Sequence, residues 1–452
     1  MTQGKGSDLA ATSFRARRDV YSWGRVVRRT QRVAEPKFRD ELPGLVAAAR
    51  GPLLATGRRR SYGDSCLNSE GMTIDMRGVD RLLAFDAGTG VLQAEAGVSL
   101  SQIIAFAAPR GWFLPTTPGT RFVTLGGAVA NDVHGKNHHR AGSFGNHVVS
   151  FDLLRRDGFQ ARVTKKSDPD LFAATIGGLG LTGVICTVEL QLERIRGGFL
   201  DVETIPHANL AEFWELAEES AAGFEHTVSW IDAVARGANF GRGVFSRANW
   251  RPDDVIEIHG DDRTWKTLPF DAPSRLLNRY TVGGFNELYF RKCRAGAGKS
   301  VQHYAPFFYP LDAIHDWNRL YGSRGMFQYQ CVVPPGAARA AIATLLREIV
   351  GEGQASFLAV LKTFGDKTSP GFLSFPRPGA TLALDFPNSG QDTLALMSRL
   401  DSIVMEAGGA LYPAKDGRLA PETFRRSFPK LQEFLRHKDE RMESDFWRRV
   451  AG

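Results

Sequence analysis

"TPGTRFVTLGGAVANDVHGKNHHRAGSFGNHV", Thr117 to Val148, is rich in glycine, alanine, asparagine and histidine and holds one acid, Asp132. Gly119, Gly126 and Gly127 permit close backbone approach. Ala128, Ala130 and Asn131 keep the surface around them thin. A segment this thin suits a large, flat cofactor lying against main chain, its phosphates met by N–H groups. His134, His138, His139 and His147 raise a metal site as the other reading. No carboxylate or thiolate stands among them at a ligand spacing, Asp132 being merely adjacent, so no metal is expected.

Upstream, "TGRRRSYGDS" (Thr56–Ser65) follows an apolar run, "GPLLATG", that reads as a buried strand. Arginines and small polar residues in a loop at a strand end form either a phosphate-binding nest or a solvated basic turn. Downstream, Gly178-Leu179-Gly180-Leu181-Thr182-Gly183 spells GxGxxG. That fingerprint should follow a strand and open a helix. Here a helix-like "LFAAT" precedes it and a β-branched run follows, so a tight turn into a strand is expected instead.

The neighbouring segments fill out a mixed architecture. "MTIDMRGVDRLLAFDAGTGVLQAEAGV" reads as short strands, and "SLSQIIAFAAPRG" as a Ser-capped helix stopped at Pro109 and Gly111. "VVSFDLLRRDGFQARVT" is a hairpin turning at Asp157-Gly158. "DPDLFAATIGG" is a short capped helix, and "GVICTVELQLERI" a long alternating strand. After Arg196 tryptophans become frequent, and strands such as "HTVSWIDAVA" and "FQYQCVVP" flank helices such as "GAARAAIATLLREIVGEG". A second, α+β domain is expected there, followed by a charged helical tail that returns to the first.

Composition sets outer bounds. The 452 residues suffice for two or three domain cores. Cys66, Cys186, Cys293 and Cys331 form no CxxC pair, so neither a disulfide framework nor a zinc site is expected. No run of ~18 apolar residues occurs, so no membrane span is expected. Net charge is +8, and residues 1–35 hold Lys5 and seven arginines against Asp8, Asp19 and Glu35. Such an arm fits an anionic lipid surface, a nucleic acid, or a solvated extension docked on its own domain. Arg17-Arg18 lacks the apolar stretch of an export signal.

Together, "GRRRSYGDS", "PGTRFVTLGGAVANDVHGKNHHRAGSFGNHV" and "GGLGLTGVI" resemble the vanillyl-alcohol-oxidase-type FAD flavoproteins. Within them the chain is most similar to the polyprenylphosphoryl-ribose 2′-oxidase group, through "WIDA", "FQYQ", "FLAVLKTFG", "LSFPRPG", "LDFP" and "YPAKDGR". The resemblance implies an α+β fold with a sequence-split FAD domain and a substrate domain on an antiparallel sheet. Residues 1–196 would be the first part of the FAD domain, 197–409 the substrate domain, and 410–452 the return. Gly57, Arg58, Arg59, Arg60, Ser61, Tyr62, Gly63, Asp64 and Ser65 would bind the pyrophosphate. Gly119, Thr124, Leu125, Gly126, Gly127, Asn131, Asp132, Val133, His134 and Ile185 would line FAD, with Tyr412 reaching it from the tail. Many relatives attach FAD through a histidine in the first loop; Tyr62 stands there, so dissociable FAD is expected.

Three departures from the family pattern are visible. Arg59 stands where a glycine is usual, Thr381 replaces an asparagine, and Ala383 replaces a cysteine that covalent nitroaromatic inhibitors trap in mycobacterial members. The implied activity is oxidation of the 2′-hydroxyl of a polyprenylphosphoryl-β-D-ribose, hydride passing to flavin N5. That is the first half of a 2′-epimerisation to arabinose, which an NADH-dependent keto-sugar reductase would complete. A desolvated lysine can act as the base, and a cation can stabilise reduced flavin. Lys415 is the first candidate and Lys362 the second. Gln330, Trp230, Thr381 and Ala383 would shape the sugar pocket, and His134 would pack under the flavin. The expected place is peripheral to the inner membrane, on either face. A soluble sugar or aldonolactone oxidase of the same fold is the alternative. A nucleic-acid-binding or scaffold protein with a vestigial flavin fold is the reading from another class, and a nucleic-acid partner is not expected.

Overall fold

In a computed structural model, residues 13–252, 266–273, 276–353 and 356–451 are described. Lys5 and Asp8 of the basic arm lie outside them. The chain forms a two-part α+β fold of the vanillyl-alcohol-oxidase type, built on three main sheets. The first, mixed sheet orders its strands Arg15–Arg17, Gln31–Ala34, Met72–Asp75, Leu53–Thr56. The second is antiparallel and runs Leu82–Phe85, Val91–Glu95, Val184–Gln191, Val148–Leu154, Gln160–Thr164.

Local chemistry explains these elements. Ser99 Oγ accepts the Gln102 N–H and Gln102 Oε1 accepts the Ser99 N–H, a reciprocal cap that starts the helix Leu100–Ala107. Asp168 caps Pro169–Thr175 through the Leu171 N–H at 3.0 Å. Gly177–Gly183 then turns from that helix into the strand Val184–Gln191, the reverse of a dinucleotide fingerprint. Alternation was expected along this strand, but Val184 through Val188 are all buried. The strand is central in its sheet and also touches the helix Leu125–Ala130 and the strand Leu53–Thr56, so both faces are covered.

The third sheet has eight strands, each antiparallel to its neighbours. Their order is Gly298–His303, Phe199–His207, Gly243–Trp250, His226–Ile231, Ala359–Phe364, Gly379–Pro387, Met326–Val333, Ala410–Leu411. Helices Leu210–Gly223, Pro335–Glu352 and Gln391–Glu406 contribute to its apolar core through Phe213, Leu345 and Leu400. Ala410–Leu411 still pairs with this sheet, so the chain leaves it at Tyr412.

From there the tail closes on the first sheet. Gly63 approaches the Asp416 carbonyl so closely that a Cβ would sit 1.5 Å from it. Tyr62 N–H donates to the Ala414 carbonyl at 3.0 Å. Arg449 bridges Asp64 and Asp416, at 2.7 and 2.9 Å. The tail therefore fastens to the loop that leaves the strand Leu53–Thr56.

Among the described residues of the N-terminal arm, three arginines have partners within the molecule, and Arg15, Arg18, Arg29 and Arg32 are exposed. Arg17 pairs with Asp19 and Glu35, Arg25 with Asp271, and Arg28 donates to the Ser323 carbonyl. Its residues Arg15–Arg17 and Gln31–Ala34 are sheet strands rather than a free extension.

Candidate active site

A cavity of about 630 Å³ lies between the first loop, the Thr117–Val148 segment, the large sheet and the tail. One wall is the loop Gly57–Tyr62. Gly57 is pressed against Thr124, whose Oγ1 would lie 2.0 Å from a Cβ there. The N–H groups of Arg58, Arg59, Arg60 and Ser61 find no protein acceptor among the described residues. A run of such donors along a cavity wall is an anion nest. Arg60 stacks on Trp23, 4.0 Å from its ring centre, and its buried Nε has no partner.

Arg59 shows why a glycine is usual at its position. It holds a left-handed φ of 49°, which costs a side-chain-bearing residue about 1 kcal/mol or more. Its guanidinium is pinned to buried Asp75 at 2.7 Å, and that ion pair offsets the strain.

A second wall is main chain from the glycine-rich segment. Gly119, Thr124, Gly126, Gly127, Asn131, Val133 and His134 line the cavity, joined by Ile185. The first N–H groups of the helix Leu125–Ala130 are already spent on Val98 and Ala96 carbonyls. Unpartnered main-chain donors are therefore found on the first loop rather than at this helix start, and this wall offers a flat surface. Tyr412 stacks on Phe375 at 4.5 Å and donates its hydroxyl to the Asn131 carbonyl at 2.9 Å.

Four residues expected to touch the cofactor face elsewhere. Leu125 is wholly buried in the apolar core. Asp132 accepts the Gly145 N–H and the Ser374 hydroxyl, bracing the segment from behind. Asp64 is held by Arg449, and Gly63 is filled by the tail. The sequence alone does not distinguish bracing from lining within one short motif.

The large sheet supplies the floor. Gln330, Lys362, Thr381, Ala383 and Trp230 all line the cavity. Lys362 is opposite Thr381 in register, and Gln330 opposite Ala383. Lys362 Nζ lies 3.2 Å from His134 Nδ1 and 3.2 Å from the Gly135 carbonyl. Gln330 Nε2 contacts His134 Nε2 at 3.0 Å and Thr381 Oγ1 at 3.3 Å. Burial and the Lys362 charge hold His134 well below the ordinary imidazole range, so it is neutral. Burial pulls Lys362 down to about 7, with Lys136 and Lys415 adding repulsion.

Lys415, on the tail loop, also lines the cavity and lies 4.2 Å above the Tyr62 ring. Burial lowers it to about 8, and the negative charge of Asp385 works against the fall. Neither Lys362 nor Lys415 makes an ion pair within 4 Å among the described residues. Three side chains went unnoticed in the sequence. Lys136 lines the cavity, donates to the Phe307 carbonyl, and is lowered by burial to about 7. Gln328 lines it too and holds Asp385 at 2.5 Å. Strand alternation was the available signal: 328 and 330 share a face, as do 381, 383 and 385.

The remaining histidines serve packing. His138 sits 4.3 Å from the Phe364 ring, while His139 and His147 contact the carbonyls of Phe224 and Ala141. No group of three potential metal ligands occurs among the described residues. The nest, the flat glycine wall and two half-buried lysines lining one cavity fit a dinucleotide with an anionic middle and a planar, electron-accepting end.

Comparison with known proteins bears on the same residues. A family model described as "FAD binding domain" matches residues 30–164. The chain is 38% identical to decaprenylphosphoryl-beta-D-ribose oxidase of Mycolicibacterium smegmatis over 393 residues, 85% of each chain. It is 34% identical to an uncharacterized protein of Streptomyces coelicolor, over 75% of this chain and 94% of that one. A probable L-gulonolactone oxidase of Arabidopsis thaliana is 32% identical over 36% of this chain and 30% of its own.

Proposed function

Since the chain belongs to the FAD-binding oxidoreductase family of decaprenylphosphoryl-β-D-ribose oxidase, we propose that it oxidises the 2′-hydroxyl of a polyprenylphosphoryl-β-D-ribose to the keto sugar. The enzyme is a flavoprotein. The observation that carries the proposal is a pair of half-buried lysines, Lys362 on the sheet and Lys415 on the tail loop, lining one cavity with the anion nest and the flat glycine wall.

Bound FAD supplies the acceptor for the hydride that leaves the sugar carbon. The nest of Arg58–Ser61, with Arg60, would hold its pyrophosphate, and the wall from Thr124 to His134 would carry its ring. Lys362 in its neutral form takes the hydroxyl proton. Its ammonium product is then held by the Gly135 carbonyl, 3.2 Å from Nζ. Lys415 stays cationic and offsets the negative charge that reduction brings into the cavity. This order reverses the preference drawn from the sequence. Lys362 sits against the His134 ring and main chain with no carboxylate beside it among the described residues, which suits a base, whereas the Asp385 field suits a standing charge at Lys415. Gln330 and Thr381 orient the sugar hydroxyls, Trp230 bounds the pocket, and Ala383 offers no thiol.

FAD is held without a covalent link, since Tyr62 stands in the first loop. Acid precipitation should leave yellow FAD in the supernatant; flavin retained on a peptide would contradict this. The keto product would pass to a reductase that completes inversion at C2′ toward arabinose, a cell-envelope precursor. The decisive test is anaerobic bleaching of bound flavin by a panel of polyprenylphosphoryl pentoses, free sugars and aldonolactones. Bleaching by the lipid-linked ribose alone supports the proposal, and bleaching by aldonolactones alone overturns it.

A further inference from the structure

The helix Arg279–Ala295 starts at Asn278, whose side chain accepts the Tyr280 and Thr281 N–H groups. Its inner face carries Val282 and Asn286, both buried, and Asn286 donates to Asp232 at 2.7 Å. Its outer face is unusual. Tyr280 is 72% exposed, Phe285 51% and Leu288 69%, and Leu276 just before the helix is 44% exposed. At 3.6 residues per turn these helical residues share one side with Arg291 and Lys292. Single exposed apolar residues are ordinary, but a contiguous set of large ones marks an interaction surface.

Two further features identify the partner. Arg279, Arg291, Lys292 and Arg294 face one acid in the helix, Glu287, which is already shared by Arg242 and Arg291. The apolar stripe also runs into the cavity. Phe285 stacks on Tyr289, and Tyr289 meets Trp230 edge-on at 4.9 Å. Tyr289, Cys293 and Trp230 line the cavity itself. An aromatic path thus connects the solvent face of the helix to the floor where Lys362 lies.

We propose that the outer face of the helix Arg279–Ala295 docks on an anionic phospholipid surface. Its aromatic and aliphatic side chains enter the headgroup boundary, and its basic side chains meet lipid phosphates. The cavity mouth then opens onto the bilayer, and a lipid-linked sugar enters without drawing its tail through water. The purpose of this docking rests on the polyprenyl substrate proposed above. The N-terminal arm is a separate basic surface, on which Arg17, Arg25 and Arg28 have partners in the molecule and Arg18 and Arg29 are exposed, so the test below includes it.

The test is co-sedimentation of the full-length, FAD-loaded protein with phosphatidylcholine vesicles, with and without phosphatidylglycerol. Wild type should pellet with the anionic vesicles. Phe285→Ser combined with Leu288→Ser should lower the partition coefficient by about ten-fold or more. Arg291→Gln with Lys292→Gln should lower it by a few-fold and flatten its salt dependence, whereas Arg18→Gln with Arg29→Gln should bind like wild type. Equal flavin content shows that each variant is folded. Wild type left in the supernatant, or an apolar variant that pellets equally, overturns the proposal. So does concentration-dependent self-association that the apolar variant abolishes without vesicle binding, which would make the partner a second copy. Flavin bleaching by a soluble, short-chain lipid-linked ribose separates the two levels. Bleaching without docking sinks this proposal alone, and docking without bleaching sinks the substrate assignment alone.

Discussion

Lys362 and Lys415 are the same residue type, both half-buried and both lining one cavity, yet their surroundings differ in kind. Lys362 projects from the middle of a sheet, between strands that fix it, and its polar neighbours are His134 and a carbonyl. Lys415 sits on a loop held by the Tyr62–Ala414 and Tyr412–Asn131 hydrogen bonds, over an aromatic face and in the field of Asp385. The difference teaches that burial alone does not assign a role. In the proposed mechanism the lysine with no negative neighbour among the described residues is the base, and the one in the field of a carboxylate is the standing cation.

The comparison breaks most visibly in the chemistry. Lys362→Ala should slow single-turnover flavin reduction by ~10²–10⁴-fold, the usual loss when a general base is removed. Lys415→Ala should slow it less, by about ten- to a hundred-fold, because a charge interaction is lost and the base remains. FAD content should be unchanged in both. Equal losses would erase the distinction, and a larger loss at Lys415 would reverse it.

A subtler break goes through Asp385. Its negative charge raises Lys415, so Asp385→Asn should lower the Lys415 pKa and move the alkaline fall in rate to lower pH. Burial raises Asp385 itself to about 7, so the substitution also removes a titration from the region of the acid limb, and the alkaline limb is the readout. Tyr62, Asp385 and the tail face Lys415, whereas His134, Lys136 and the Gly135 carbonyl surround Lys362; the two lysines also repel each other, so the substitution acts directly on Lys415 and only through it on Lys362. A rate profile unchanged by Asp385→Asn would remove its role.

The smallest effect concerns the loop's anchoring. Tyr412→Phe deletes the bond to the Asn131 carbonyl but keeps the stack on Phe375. It should cost about 1 kcal/mol of stability by denaturant unfolding. Its effect on flavin reduction should resemble a mild Lys415 variant, since the strand bearing Lys362 does not depend on it.

Much of this site was legible in the sequence because glycine and alanine in "TLGGAVAND" have few uses other than close approach. The fold class followed from the same motifs. Other features depend on context that a linear reading lacks. Asp132 and Asp64 sit inside cofactor motifs yet turn backward, because the buried partners that hold them, Ser374 and Arg449, are far along the chain. The arginines of the arm looked free, since nothing near them in sequence announces Asp271 or the Ser323 carbonyl. Gln328 and Asp385 were within reach of strand alternation, lying two residues from Gln330 and Ala383. Lys136 was not, because its role depends on Phe307 arriving from the other domain's far end.

The most direct test of the division between the lysines is the pH dependence of single-turnover flavin reduction, followed from about pH 5.5 to about pH 9.5. Lys362 must be neutral, so the rate should rise as pH passes through about 7. Lys415 must be charged, so the rate should fall as pH passes through about 8. The result is a narrow bell whose acid limb disappears in Lys362→Gln and whose alkaline limb disappears in Lys415→Gln. A wild-type rate independent of pH across this range, or an acid limb that survives Lys362→Gln, would contradict the account.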